Sequence, residues 1–179
     1  MSQGYTSFAT LFDRLAEPRG ARLAVREHDR DWRYEQMQAR SARMTTSLRE
    51  VGVREGHAVA LMVPNSGAFV ASFLGSARAG GVVAPVNVRY QQQELIYYLD
   101  DTRAHAIVVA SELAPVVQQA LASLERPPAL IAVDTDGNPR LVSTGARGSA
   151  ADPSEDATTW RMDESAPLLL QYTSGSTGA

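Results

Sequence analysis

The sequence predicts an α/β fold, a mainly parallel sheet with helices on both faces. Three observations lead there. Apolar runs at 57–63, 82–86, 106–109 and 130–133 lack the polar alternation of a sheet with one wet face. Between them lie segments whose apolar residues recur at three- and four-residue steps. These two kinds of segment alternate along most of the chain, as crossover-connected parallel strands require.

Taken in order, 8–15 reads as a short helix with Leu11, Phe12 and Leu15 on one side. Leu23-Ala24-Val25 reads as a short strand, and a polar turn at 27–31 leads to Trp32-Arg33-Tyr34. A helix over 35–51 carries Met37, Ser41, Met44, Leu48 and Val51 as one stripe, and Gly52 ends it. The run 57–63 closes at Pro64-Asn65-Ser66, where Asn65 or Ser66 can cap a helix over 67–78. Ala79-Gly80-Gly81 stops that helix, and 82–86 is the next strand. A helix over 92–99 precedes the strand 106–109. Another over 113–124 is stopped by Pro127-Pro128 before the strand 130–133. Residues 134–139 form a turn. The stretch 143–159, poor in large apolar residues, is expected to be an exposed connection inside one domain that spans 1–179.

Composition narrows the function classes. With 44% hydrophobic and 21% charged residues and a net charge of −3, nothing suggests a nucleic-acid partner or an anionic membrane. The longest apolar runs are far too short to span a bilayer, so no transmembrane segment is expected. The first 20 residues lack a secretory apolar region. Cysteine is absent, which rules out disulfides and thiolate chemistry in this sequence and fits a cytoplasmic setting. All 17 positive side chains are Arg, so no Lys here can act as a phosphate binder, general base or Schiff-base nucleophile.

The chemistry concentrates at 171–179. An apolar run, Leu168-Leu169-Leu170, leads to Tyr172-Thr173-Ser174-Gly175-Ser176-Thr177-Gly178. A strand followed by a small-residue loop is a common phosphate cradle: glycines allow close backbone approach, and hydroxyls add donors beside the N–H groups. The tract matches neither G-x-x-x-x-G-K-[ST] nor G-x-G-x-x-G, and by composition alone a flexible tail is the alternative.

With these pieces in place, the chain resembles the adenylate-forming, AMP-binding superfamily, in its acyl- and aryl-CoA synthetase branch. Three blocks carry the resemblance. Trp32-Arg33-Tyr34-Glu35-Gln36-Met37 is similar to an early aromatic-x-Tyr block. The stretch from Val59 through Pro64-Asn65-Ser66 to Pro85-Val86-Asn87 resembles the second block in its CoA-ligase wording. Tyr172 to Gly178 matches the phosphate-binding signature, which normally continues into Pro-Lys-Gly. The resemblance covers the N-terminal portion of such an enzyme only.

The resemblance implies a two-step ligase. A carboxylic acid and ATP give an acyl-adenylate and pyrophosphate, and CoA then displaces AMP. It implies Thr173, Ser174, Gly175, Ser176, Thr177 and Gly178 as ligands of the ATP phosphates, with Mg²⁺ and CoA as further cofactors. It transfers no catalytic residue and no metal ligand onto this chain, because the signature Lys and the family's later blocks have no counterpart in it. The sequence is therefore expected to be a truncated front part, inactive alone. Each neutral hydrogen bond adds about 1 kcal/mol, so its own affinity for ATP is expected to be weaker than about 1 mM. An acyl-AMP ligase and a carrier-protein adenylation domain are the alternatives within the superfamily. A non-catalytic interaction module is the alternative of another class.

Several residues have plainer readings. His28, His57 and His105 show no metal spacing and read as surface or strand-edge residues. Glu94 and Glu112 read as first-turn helix charges, and Asp100-Asp101 as a solvated helix end. Tyr97-Tyr98 are expected to be partly buried against the sheet, and Arg89 to lie at the surface.

Overall fold

Strand β3 (Ala58–Met62) is the axis of the molecule. It pairs in parallel with β4 (Val82–Pro85) on one side and β5 (Ala106–Ala110) on the other. Strand β6 (Ala129–Val133) continues the sheet in parallel from β5, and β7 (Pro139–Ser143) closes it antiparallel, giving the order β4-β3-β5-β6-β7. The computed structural model describes residues 8–27, 30–146 and 166–172.

Over β3, β5 and β6 both faces of the sheet are buried because nearly every residue is apolar, and alternation sorts them into two cores. Val59, Leu61, Val108 and Ile131 face Met44, Leu48 and Ala68 of helices α2 (Tyr34–Glu50) and α3 (Gly67–Ala79). Ala60, Met62, Ile107 and Leu130 face Leu95, Leu99 and Val117 of α4 (Gln92–Asp101) and α5 (Ala114–Leu121). Each full burial of such a side chain adds about 1.5–3 kcal/mol. The helices on both faces are therefore held by the strands they connect.

Helices α2 and α3 pack unusually closely, and small residues permit it. A Cβ on Gly75 would lie 2.6 Å from the Met44 Cβ and 2.8 Å from the Ser41 carbonyl oxygen. The buried Thr45 hydroxyl spans the gap, 2.8 Å from Ser41 O and 3.1 Å from Gly75 O. Ser66 caps α3, accepting from the Phe69 N–H at 3.1 Å. Gly80 ends it at φ +94°, a left-handed conformation that costs glycine little.

A hairpin of β1 (Leu23–Arg26) and β2 (Asp31–Arg33) stands apart as a two-stranded sheet. Its Trp32 joins Met37, Ala71 and Leu74 in a third cluster, with Phe12 of α1 (Phe8–Ala16) against it.

The predicted parallel strands are present, and the helices follow the expected spans with two differences. The 113–124 segment opens as a 3-10 turn, Ser111–Leu113, before α5, which ends at Leu121. Strand β7 was not anticipated. Its start at a proline and its largely exposed side chains hide it, since it is an edge strand whose register is set by the turn before it. That turn is fixed by Asp134, whose carboxylate accepts from the Asn138 N–H at 2.8 Å. Of the stretch 143–159, Ser143 ends β7 and 147–159 lies outside the described residues.

Candidate functional site

The strand order places a reversal at β3. The chain leaves it toward β4 on one side and returns to β5 on the other. In open α/β sheets ligands bind outside the carboxyl ends of the strands at such a point. Two features occupy that rim here, one on each side of β3.

The first is a cleft of about 400 Å³ at the ends of β3, β5 and β6, lined by Glu27, Arg30, Ser66, Glu112 and Asp134 together with apolar residues such as Val63. Glu27, Ser66, Arg30 and Asp134 already have partners. Glu27 accepts from the Gly67 N–H at the start of α3. The Ser66 hydroxyl donates to Pro64 O at 2.9 Å while capping α3. Arg30 is 2.8 Å from Asp136 and donates to Thr135 O at 2.6 Å. Burial works against the Asp134 carboxylate, yet hydrogen bonds from the Asn138 backbone and side chain hold its pKa below the usual range. Three carboxylates against one committed guanidinium repel phosphate. This side of the rim is not built for a nucleotide.

The second feature lies beyond β4. Residues 168–170 run beside it: Val83 donates its N–H to Leu168 O at 2.9 Å, Leu170 donates to Val83 O at 2.8 Å, and the Val83–Leu169 bridge is parallel. Parallel direction carries the chain toward the carboxyl rim. Tyr172 stands there, its ring on Tyr98 at 4.7 Å between centroids and its hydroxyl donating to the Asp101 carboxylate. Tyr98 in turn donates to Pro85 O, at the end of β4, at 2.9 Å.

The predicted phosphate ligands Thr173, Ser174, Gly175, Ser176, Thr177 and Gly178 follow directly and lie outside the described residues. The strand reading of the run before them agrees with the backbone bonds to Val83. Among the described residues, no group of three or more His, Asp or Glu is arranged to hold a metal ion. Among them, too, no helix is long and apolar enough to cross a membrane.

Several plainer readings change. His57 and His105 do sit at strand ends, where β3 and β5 begin, but their rings stack at 4.2 Å and 22°, and His105 is buried. Tyr97 and Tyr98 separate, with Tyr97 69% exposed and Tyr98 3%. Asp101 does more than solvate a helix end, since it accepts from Tyr172 across 71 positions of sequence. Each member of the Tyr98–Asp101–Tyr172 group is visible in the sequence, but their meeting depends on the crossover from β4 through α4. Glu94 does act in the first turn of α4, accepting from the Gln91 N–H at 2.6 Å.

Comparison with known proteins points the same way. The chain is 30% identical over 182 residues to a 4-hydroxybenzoate–CoA/benzoate–CoA ligase of Rhodopseudomonas palustris, covering 97% of this chain and 32% of that protein. It is 34% identical over 145 residues to the long-chain-fatty-acid–CoA ligase FadD13 of Mycobacterium tuberculosis, covering 81% of this chain and 27% of that one. The solved fatty acyl CoA synthetase of Mycobacterium tuberculosis superposes with a TM-score of 0.67 at 27% identity, over 95% of this chain and 33% of its own. The chain thus spans about a third of the length of the relatives it matches. The model of the family described as AMP-binding enzyme matches residues 12–179, and the chain belongs to that family.

Proposed function

We propose that this chain is the nucleotide-binding front part of an ATP-dependent carboxylic acid–CoA ligase. The observation that carries the proposal is the docking of 168–170 in parallel beside β4, directly before the Thr173–Gly178 signature. A phosphate loop at the carboxyl rim uses backbone N–H groups and hydroxyls as preorganised donors.

In the first step an acid carboxylate oxygen attacks the α-phosphorus of ATP. The bond to the β-phosphate bridge breaks, and pyrophosphate leaves with its charge held by these donors; Mg²⁺, when bound, would supply further charge neutralisation. The CoA thiolate then attacks the acyl carbonyl carbon, and AMP departs. Thr173, Ser174, Gly175, Ser176, Thr177 and Gly178 are the proposed phosphate ligands. The small-molecule acid, fatty or aromatic, ATP and CoA are the proposed partners. A cytoplasmic setting, and a single partial domain over 1–179 with a connection near 143–159, belong to the same proposal.

The test uses the protein at its full natural length. Pyrophosphate release is measured with a panel of benzoates and fatty acids, and AMP release with and without CoA. Acid-dependent pyrophosphate release followed by CoA-dependent AMP release supports the ligase. Pyrophosphate release with no CoA effect would shift the assignment to an acyl-AMP ligase or a carrier-protein adenylation domain. No release with any acid would leave a non-catalytic module.

A further inference from the structure

Among the described residues, the position just before the Thr/Ser/Gly tract is held by its side chain. The ladder with β4 ends at the Leu170 N–H, and no backbone hydrogen bond between described residues follows it. Two residues later Tyr172 is fixed twice, by ring contact with Tyr98 and by its hydroxyl on Asp101.

Its platform is itself tied down. Tyr98 is buried, its hydroxyl is on Pro85 O, and its carbonyl accepts from both the N–H and the hydroxyl of Thr102, at 3.0 and 2.7 Å. Pro85 ends β4, the same strand that holds 168–170. Strand β4, helix α4 and the segment 168–172 therefore form a closed triangle of contacts.

Asp101 is the informative member. It is the last residue of α4, it follows Asp100, and the last turn contains no basic residue. Negative charge at a helix C-terminus opposes the macrodipole. Helix stability does not explain a carboxylate there, whereas a hydroxyl donor from Tyr172 does. Burial first, then the hydrogen bond to Asp101, pushes the Tyr172 pKa up to about 12, so the hydroxyl remains a donor through the neutral range.

We infer that Tyr172 is the positioning residue of the phosphate-binding tract, tying the residue that precedes 173–178 to α4. The inference rests on the proposed reading of that tract. A glycine-containing loop with a fixed end has fewer conformations to lose when a ligand orders it.

The experiment compares wild type, Y172F and D101N at full natural length. Y172F keeps the ring and removes the donor; D101N keeps a neutral acceptor. Amide hydrogen exchange over 168–178 is expected to rise about fivefold in Y172F and less in D101N, with 58–62 and 106–110 unchanged. The KM for ATP–Mg²⁺ is expected to rise about fivefold, as for loss of one charge-assisted hydrogen bond at a partly exposed site. The KM for the acid should stay within about twofold, whereas a residue needed only for folding would move both constants and Tm together.

Unchanged exchange in both variants overturns the inference. A changed KM without changed exchange also overturns it, because Tyr172 would then act on the ligand directly. If Y172F does not fold, D101N makes the same exchange comparison from the other partner. Faster exchange in a protein that never turns over ATP upholds the anchor and sinks the nucleotide reading instead.

Discussion

The centre of the sheet and its β4-side edge are built by different rules. In β3, β5 and β6 nearly every side chain is buried, each strand has a partner on both sides, and packing leaves one arrangement. At the edge, Leu169, Leu170 and Tyr172 are 45%, 39% and 37% exposed, and two backbone hydrogen bonds to Val83 with one tyrosine side chain hold the segment. The segment that leads into the proposed nucleotide signature is thus less firmly held than the central strands. Regions that must reorganise around a ligand are drawn from the low-stability end of a fold. The difference teaches that the centre supplies the direction of the strands, while a few identifiable contacts set the position of the site.

Paired truncations would break that comparison most strongly. Ile131→Ala, at a fully buried position in β6, should cost about 2–5 kcal/mol in denaturant unfolding. Leu170→Ala at the edge should cost less than about 1 kcal/mol by the same measurement. Equal costs would show that the edge is as well packed as the centre.

The next effect concerns the α2–α3 contact. Gly75→Ala pushes a methyl against Met44 and the Ser41 carbonyl, and should lower stability by about 1–3 kcal/mol, read as a drop in the denaturation midpoint. A neutral result would mean that the two helices separate easily. Smaller again, Ser66→Ala removes the α3 cap and should cost about 1 kcal/mol. The urea midpoint reads it, and no change would show that water replaces the hydroxyl.

The centre was legible in the sequence because its signal is local. Continuous apolar runs and three-four spacing give the strands and helices directly, and Ser66 and Gly80 mark where α3 starts and stops. Strand β7 was not legible because it is exposed, begins with proline and depends on the Asp134–Asn138 turn for its register. The site was half legible. The tract after Tyr172 carries its own pattern, but nothing local connects Tyr172 to Asp101 or Tyr98. That link exists only after β4 and α4 have brought them together. The stacking of His57 on His105 was hidden for the same reason, since it requires β3 and β5 to be neighbours.

The smallest expected effect is spectroscopic. Tyr172 and Tyr98 titrate above the ordinary range, Tyr172 near 12 and Tyr98 higher still because of its burial. A raised phenol pKa adds stability that is complete below about pH 10, the unfolded value, and is lost as pH rises toward 12. An ultraviolet titration of Y172F should therefore lack one late-ionising tyrosine, and its edge should no longer loosen between those pH values. Loss of a tyrosine step at about pH 10, with both late-ionising steps kept, would remove Tyr172 from the edge contacts.

The central claim is that the β4-side rim is the nucleotide end of the molecule. Amide hydrogen exchange on the protein at full natural length, with and without saturating ATP–Mg²⁺, tests it most directly. Slow, ligand-independent exchange is predicted over 58–62, 106–110 and 129–133, with faster exchange over 168–178 that slows when ATP–Mg²⁺ is added. Protection appearing instead at the cleft residues around Glu27, Ser66 and Asp134, with 168–178 unaffected, would contradict the account.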